Sequence, residues 1–261
     1  MAYPSPMIGV PPMAPSRRVH TQPVDPERII PDETEPGIVA THLARYAFAR
    51  PQVTGLTVLD AGCGVGYGTA YLAVEASHVT GIDVSDETIA YAKQRYGGPQ
   101  TEFRVGDLQA LEWPDESFDA VCSFETIEHV ADGPAAVREA ARVLRPDGVY
   151  VVSTPRAEQT THRPDNPFHE VEYAVADFRA LLEGSFGQVE LYGQTRVATT
   201  AHRWLRRLDV LGLRRRIPLA WTSRVTGSRA TPDLTLEDVE IGSDLDGATE
   251  IVAVCRDPRK P

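Results

Sequence analysis

The sequence predicts an α/β protein built on a seven-stranded, mostly parallel sheet, with helices on both faces and a lid insertion before the last strand. Three observations carry this. Short, β-branched apolar runs alternate with helical patterns along most of the 261 residues, the signature of strand–helix–strand units. The first strong apolar run leads straight into four glycines, in VLDAGCGVGYGT (58–69). A long segment, 195–245, separates the last two strand patterns and is too long for a plain hairpin.

The elements follow in chain order. Residues 1–25 are proline-rich with little apolar periodicity and read as a disordered tail. From Ile38 the spacing turns helical, with Ile38, Leu43, Tyr46 and Ala47 on one face. TVLDAG (57–62) reads as a buried strand and YGTAYLAVEA (67–76) as a helix. HVTGIDV (78–84) is a second strand, after which Ser85 caps a helix over DETIAYAKQRY. TEFRVGD (101–107) and FDAVCSFE (118–125) are the third and fourth strands. The helix in GPAAVREAARVLRPDG ends near Pro146, and Gly148 opens the fifth strand, VYVVSTP (149–155). A helix over 174–184 precedes GQVELYGQ (187–194), and ATEIVAVCR (248–256) closes the sheet. The expected organisation is a tail (1–25), a core (26–194), a basic cap (195–245) and a last core strand with its tail (246–261).

Composition narrows the class. With 42% apolar and 24% charged residues the chain is an ordinary globular one. No apolar run approaches the length of a membrane span, and the N-terminus lacks the apolar core of a signal peptide. Three widely spaced cysteines point to a reducing compartment, hence the cytoplasm. A net charge of −11 argues against a general nucleic-acid binder.

Glycines directly after a strand let the backbone approach a ligand, and the following helix offers free N–H groups. The dinucleotide fingerprint G-x-G-x-x-G fails here: its third slot holds Tyr67 counting from Gly62 and Thr69 counting from Gly64. The spacing is D-x-G-x-G-x-G, from Asp60. A second constellation, ETIEHV, follows the fourth strand at the expected ligand edge. Turned helically, it puts Glu125, Glu128 and His129 at i, i+3 and i+4, on one face. Two carboxylates and an imidazole suit a divalent cation such as Mg2+, Mn2+ or Zn2+. The same imidazole equally suits a metal-free general base or a structural hydrogen bond. NPFHEVEY then offers His169, as a fourth ligand or as the base.

Together these segments resemble the class I S-adenosyl-L-methionine (SAM)-dependent methyltransferases, across roughly residues 27–194 and the last strand. The resemblance implies a Rossmann-like fold with SAM as cofactor. It places Gly62, Cys63 and Gly64 at the methionine end, with Asp60 near the ammonium and Arg45 or Tyr46 over the carboxylate. It places Asp83 on the ribose hydroxyls beside Val84, Asp107 on the adenine amino group beside Leu108, and Phe124 at the end of the fourth strand. Cys63 reads as a small residue beside the loop, not a nucleophile. The E-x-x-E-H pattern is similar to that of metal-dependent O-methyltransferases of ubiquinone biosynthesis and of small-RNA ribose methylation. The pattern as a whole resembles a bacterial subgroup associated with surface glycans and glycosylated metabolites. The resemblance does not name an acceptor; a sugar hydroxyl is the leading expectation and a catechol-like phenol the second, with an RNA ribose, or SAM binding without catalysis in a regulatory subunit, as further alternatives. His129, His169 and Glu128 are the candidate catalytic residues.

The cap contains HRWLRRLDVLGLRRRIP (202–218), six arginines against one aspartate. Trp204, Leu208 and Leu211 share a helical face bordered by Arg203, Arg206 and Arg207. A lid helix with solvated arginines, an interfacial helix on anionic lipid and a pocket for a phosphate-bearing or lipid-linked substrate are its three readings. A homo-oligomer is compatible with all of them.

Overall fold

The computed structural model describes residues 28–196 and 234–260. The tail expectation (1–25) and the arginine-rich helix (202–218) lie outside these residues. The first described element, α1 (Pro36–Ala49), begins with proline at its first position, where the missing N–H costs nothing. Then β1 (Thr57–Ala61), α2 (Tyr67–Leu72), β2 (His78–Asp83) and α3 (Asp86–Tyr96) alternate. Ser85 caps α3 as expected, its hydroxyl accepting from the Thr88 amide at 3.3 Å. β3 (Thr101–Val105), β4 (Phe118–Phe124), α4 (Gly133–Val143) and β5 (Leu144–Ala157) follow. The two-residue β6 (Tyr173–Ala174), α5 (Val175–Glu183) and β7 (Phe186–Arg196) lead to β8 (Val239–Gly242) and β9 (Glu250–Pro258).

The sheet runs in the order β3-β2-β1-β4-β5-β9-β7-β8, with β6 attached to β5. Strands β1 to β5 pair in parallel, and β9 lies antiparallel between β5 and β7. All seven expected strands are present, and two short ones are added. One of them, β8, changes the expected organisation: part of the segment assigned to the cap pairs antiparallel with β7 and extends the sheet.

Alternate residues of each central strand feed opposite cores, as expected for parallel strands covered on both faces. Leu59, Val121 and Val152 face α4 and α5, packing with Val137, Ala140, Phe178 and Leu182. Val58, Ala120 and Val151 face the other way, toward Tyr46 and Ala49 of α1 and Leu72 of α2. The α1 face departs from the apolar spacing. Thr41, Ala44, Arg45 and Tyr46 are buried, whereas Ile38, Leu43 and Ala47 are only partly covered. Two helix ends also differ. α2 is six residues long, and α4 stops at Val143, three residues before Pro146.

The order reverses between β1 and β4: the chain winds outward through β2 and β3, then returns to place β4 on the other side of β1. Ligands of open α/β sheets sit at such a switch point, beyond the carboxyl ends of the strands. Here both adjoining strands end in the sequence features singled out above, the glycine loop and ETIEHV.

Candidate active site

A cavity of about 430 Å3 opens at this switch point. Of the expected cofactor residues, Tyr46, Gly62, Cys63, Gly64, Asp83, Val84, Asp107, Leu108 and Phe124 line it. The loop after β1 is shaped for close approach. Gly64 has a φ of +52°, and a side chain there would meet no protein atom within 4 Å, so the space over it is open. Its amide donates to Asp83 at 3.2 Å, while the other Asp83 oxygen accepts from the Ser85 amide at 2.9 Å. The end of β2 is thereby tied to the loop. Asp107 is oriented in the same way, accepting from the Gln109 amide at 2.8 Å. Burial pushes the Cys63 thiol well above its usual pKa, which keeps it protonated and unreactive.

Asp60 and Arg45 do not line the cavity. The Asp60 carboxylate is fully buried and accepts from the Thr69 hydroxyl at 2.6 Å and the Tyr46 hydroxyl at 3.3 Å. Burial pushes its pKa up to about 7. Tyr46 thus roofs Asp60, and its ring packs edge-on against Phe124, centroids 4.8 Å apart. Arg45, one residue earlier, is fully buried on the adjoining face of α1.

ETIEHV does not form the expected helical turn. Glu125 adopts a left-handed φ of +49°, and only Ile127–His129 makes a single 3-10 turn. The three residues therefore do not share a face. Glu125 turns to Ser153, whose hydroxyl donates to it at 2.7 Å, and lies 3.9 Å from Arg45. Glu128 points into the protein, where burial and the nearby Glu125 charge raise its pKa well above the usual value. His129 lines the cavity.

The chain then returns through NPFHEVEY, pinned by the Glu170 and Val171 amides donating to the Glu128 carbonyl. This brings His169 to His129, ring centroids 4.9 Å apart. Glu128, His129 and His169 each offer a ligand atom, and these lie within 4.8 Å of one another. Glu125 is not in the group, which corrects the expected four-residue set. Both imidazoles are oriented. His129 Nδ1 donates to the Phe168 carbonyl at 2.9 Å, and His169 Nδ1 donates to Glu172 at 2.9 Å. The Asn166 side-chain amide donates to His169 Nε2 at 3.0 Å.

Sequence reasoning missed Arg28, Ile29, His42, Tyr67 and Phe168, all of which line the cavity. His42 is held uncharged by burial and by Arg45 and Arg196. Its signal was available, since it lies four residues before Tyr46 and so one helical turn away on the same face.

A switch-point cavity floored by a glycine loop, with acidic residues ending β2 and following β3, fits the class I methyltransferases. The chain belongs to the SAM-dependent methyltransferases of that class. Residues 59–152 match the family model described as a methyltransferase domain. A probable SAM-dependent methyltransferase of Mycolicibacterium smegmatis is 39% identical over 64% of this chain and 66% of its own length. A fatty-acid O-methyltransferase from the same organism is 36% identical over 49% of this chain and 45% of that one. Phosphoethanolamine N-methyltransferase 1 of Arabidopsis thaliana is 40% identical over 40% of this chain and 23% of that one. The chain thus spans about two thirds of the first relative's length and less than half of the other two. The fold matches that of a SAM-dependent methyltransferase from Mesorhizobium loti, with a TM-score of 0.53 at 18% identity, covering 84% of this chain and 100% of that one.

Proposed function

We propose that this chain transfers the methyl group of SAM to a hydroxyl oxygen, with a sugar as the acceptor, and that Glu128, His129 and His169 hold a divalent cation beside that oxygen. The observation that carries the reading is the convergence of these three side chains at the edge of the cofactor cavity. Their donor set fits a cation once the Asn166 amide gives up His169 Nε2. Glu128 Oε1 is buried with no hydrogen-bond partner among the described residues, and each imidazole has its Nδ1–H tied to an oxygen acceptor, the usual outer support of a histidine ligand.

SAM supplies an electrophilic methyl group, so the protein's task is orientation and proton removal. The need for proton removal separates acceptor classes. A carboxylate arrives already ionised and an amine needs only its neutral form, whereas a sugar hydroxyl holds its proton far above neutral pH. A cation bound at these residues would lower that pKa. A vicinal diol is a natural bidentate partner for it.

One observation favours a metal-free reading. The Asn166 amide occupies the lone pair of His169 Nε2, which leaves His129 alone as the base, on a sugar or a catechol-like hydroxyl. Calorimetric titration of Mg2+, Mn2+ and Zn2+ into protein loaded with S-adenosylhomocysteine decides between the two. The cation reading expects saturable binding that His129→Ala abolishes. Absence of binding, with methyl transfer to glycosides persisting in EDTA, establishes the metal-free one.

A further inference from the structure

A single exposed apolar residue is ordinary on a protein surface. Phe168 differs from that ordinary case in three ways. Its side chain is 45% exposed and lines the cavity, beside His129 and Val130. Its ring contacts no other ring among the described residues, whereas the cavity residue Phe124 is covered edge-on by Tyr46. Its main chain is held on both sides: the Phe168 amide donates to Asn166 Oδ1 at 3.1 Å, and its carbonyl accepts from His129 Nδ1 at 2.9 Å. The His169 amide closes the turn on the Asn166 carbonyl at 3.2 Å, and the Glu170 and Val171 amides fasten the next residues to the Glu128 carbonyl.

An aromatic side chain has only two rotatable bonds, so on a fixed backbone it offers a flat apolar face at little ordering cost. That face gains when another flat apolar surface covers it, as the C–H face of a pyranose or an aromatic ring would. The hydrogen bond that mounts Phe168 also sets His129. A carbonyl only accepts, so Nδ1 carries the proton and the neutral imidazole keeps its lone pair on Nε2. The exposed ring and the imidazole are thus one unit, joined across 39 residues of sequence. The cofactor residues come from other segments, the loop after β1 and the ends of β2 and β3. Phe168 arrives instead on the segment that brings His169, which puts it on the acceptor's side of the cavity.

We infer that Phe168 is the platform for the acceptor: the acceptor is a ring with an apolar face and the methylated hydroxyl on its edge, stacked on Phe168 and so presented to His129. The inference rests on the hydroxyl-acceptor reading above, and it holds whether a cation or the imidazole draws off the proton. A pyranose and a catechol share this chemistry, and the arms of the test separate them.

Initial rates with SAM are measured on a panel of methyl pyranosides, on catechol and on glycerol, a vicinal diol without a ring. The wild-type chain is compared with Phe168→Leu, which keeps apolar bulk but loses the flat face, and with Phe168→Tyr, which restores it. S-adenosylhomocysteine titrations and thermal melts accompany each chain. The expected result is a KM for the ring acceptor raised about three- to tenfold in Phe168→Leu, with kcat changed less than about twofold, and a KM within about twofold of wild type in Phe168→Tyr. S-adenosylhomocysteine affinity should stay within about twofold in all three chains. Turnover of pyranosides alone, or of catechol alone, with this KM pattern supports the platform and names its ring. A KM indifferent to Phe168→Leu, a Phe168→Tyr chain no better than Phe168→Leu, an equal loss of S-adenosylhomocysteine affinity, or glycerol turned over as well as the rings overturns the platform and leaves the hydroxyl reading standing. A wild-type chain that methylates none of these acceptors overturns both.

Discussion

Replacing Asp60 by asparagine should flatten the pH dependence of the ligand-free protein's stability. The carboxylate is fully buried, and burial, with a smaller contribution from the Asp83 charge, lifts its pKa from 3.8 to about 7 against the hydrogen bonds from Thr69 and Tyr46. A folded-state pKa above the unfolded one means that the folded chain binds the proton more tightly. The stability it brings is complete below pH 4 and is lost as pH rises through about 7. A rise of this size corresponds to roughly 4 kcal/mol in all, of which about 2–3 kcal/mol is lost between pH 5 and pH 8. Glu128 drifts in the same direction but is present in both proteins, so it cancels in the difference. The altered hydrogen bonds to Thr69 and Tyr46 add an offset that does not vary with pH. Urea unfolding at pH 5, 6, 7 and 8 should therefore show the Asp60→Asn chain gaining about 2–3 kcal/mol on the wild type across the series. Parallel profiles, with a gap constant to within about 0.5 kcal/mol, would refute the burial argument.

Two further outcomes follow from packing. A methyl group at Gly68 would run into the Tyr46 ring, so Gly68→Ala should cost about 2 kcal/mol by overpacking and move Tyr46 off Asp60. Thermal melts and S-adenosylhomocysteine titration should both register the change. Arg142 donates to Glu139, Asp115 and the carbonyls of Leu111 and Trp113, fixing the segment that follows Leu108 and Gln109 at the cavity. Arg142→Gln should lower stability by about 2–3 kcal/mol in urea melts.

The sequence showed most of what local pattern can show. The glycine loop, Asp83 and Asp107 were legible because each directly follows a strand whose apolar run marks its end. What failed depended on contacts distant in sequence. Asp60 was expected near the cofactor's ammonium, directly or through water, and nothing in the sequence marked its carboxylate as covered by Tyr46, which a helix 14 residues earlier delivers. Glu125 was placed with Glu128 by helical spacing, but no local signal announces a left-handed glutamate, and Ser153 on the neighbouring strand holds it there. His42 escaped notice because α1 was read for apolar residues, while its buried face carries Thr41 and Arg45. The return of His169 to His129 was anticipated from a loop, and the structure supplies the means in the bonds to the Glu128 carbonyl.

The account stands most directly on SAM binding at the glycine loop. Gly64 has a conformation that alanine tolerates at about 1 kcal/mol, and its added methyl group would meet no protein atom, only the space assigned to the cofactor. Calorimetric titration of SAM and of NAD into the wild type and Gly64→Ala is the measurement to make. The account predicts saturable SAM binding, no NAD binding, and about a tenfold or greater loss of SAM affinity in a variant that stays folded. NAD binding as tight as that of SAM, or SAM affinity indifferent to Gly64→Ala, would contradict it.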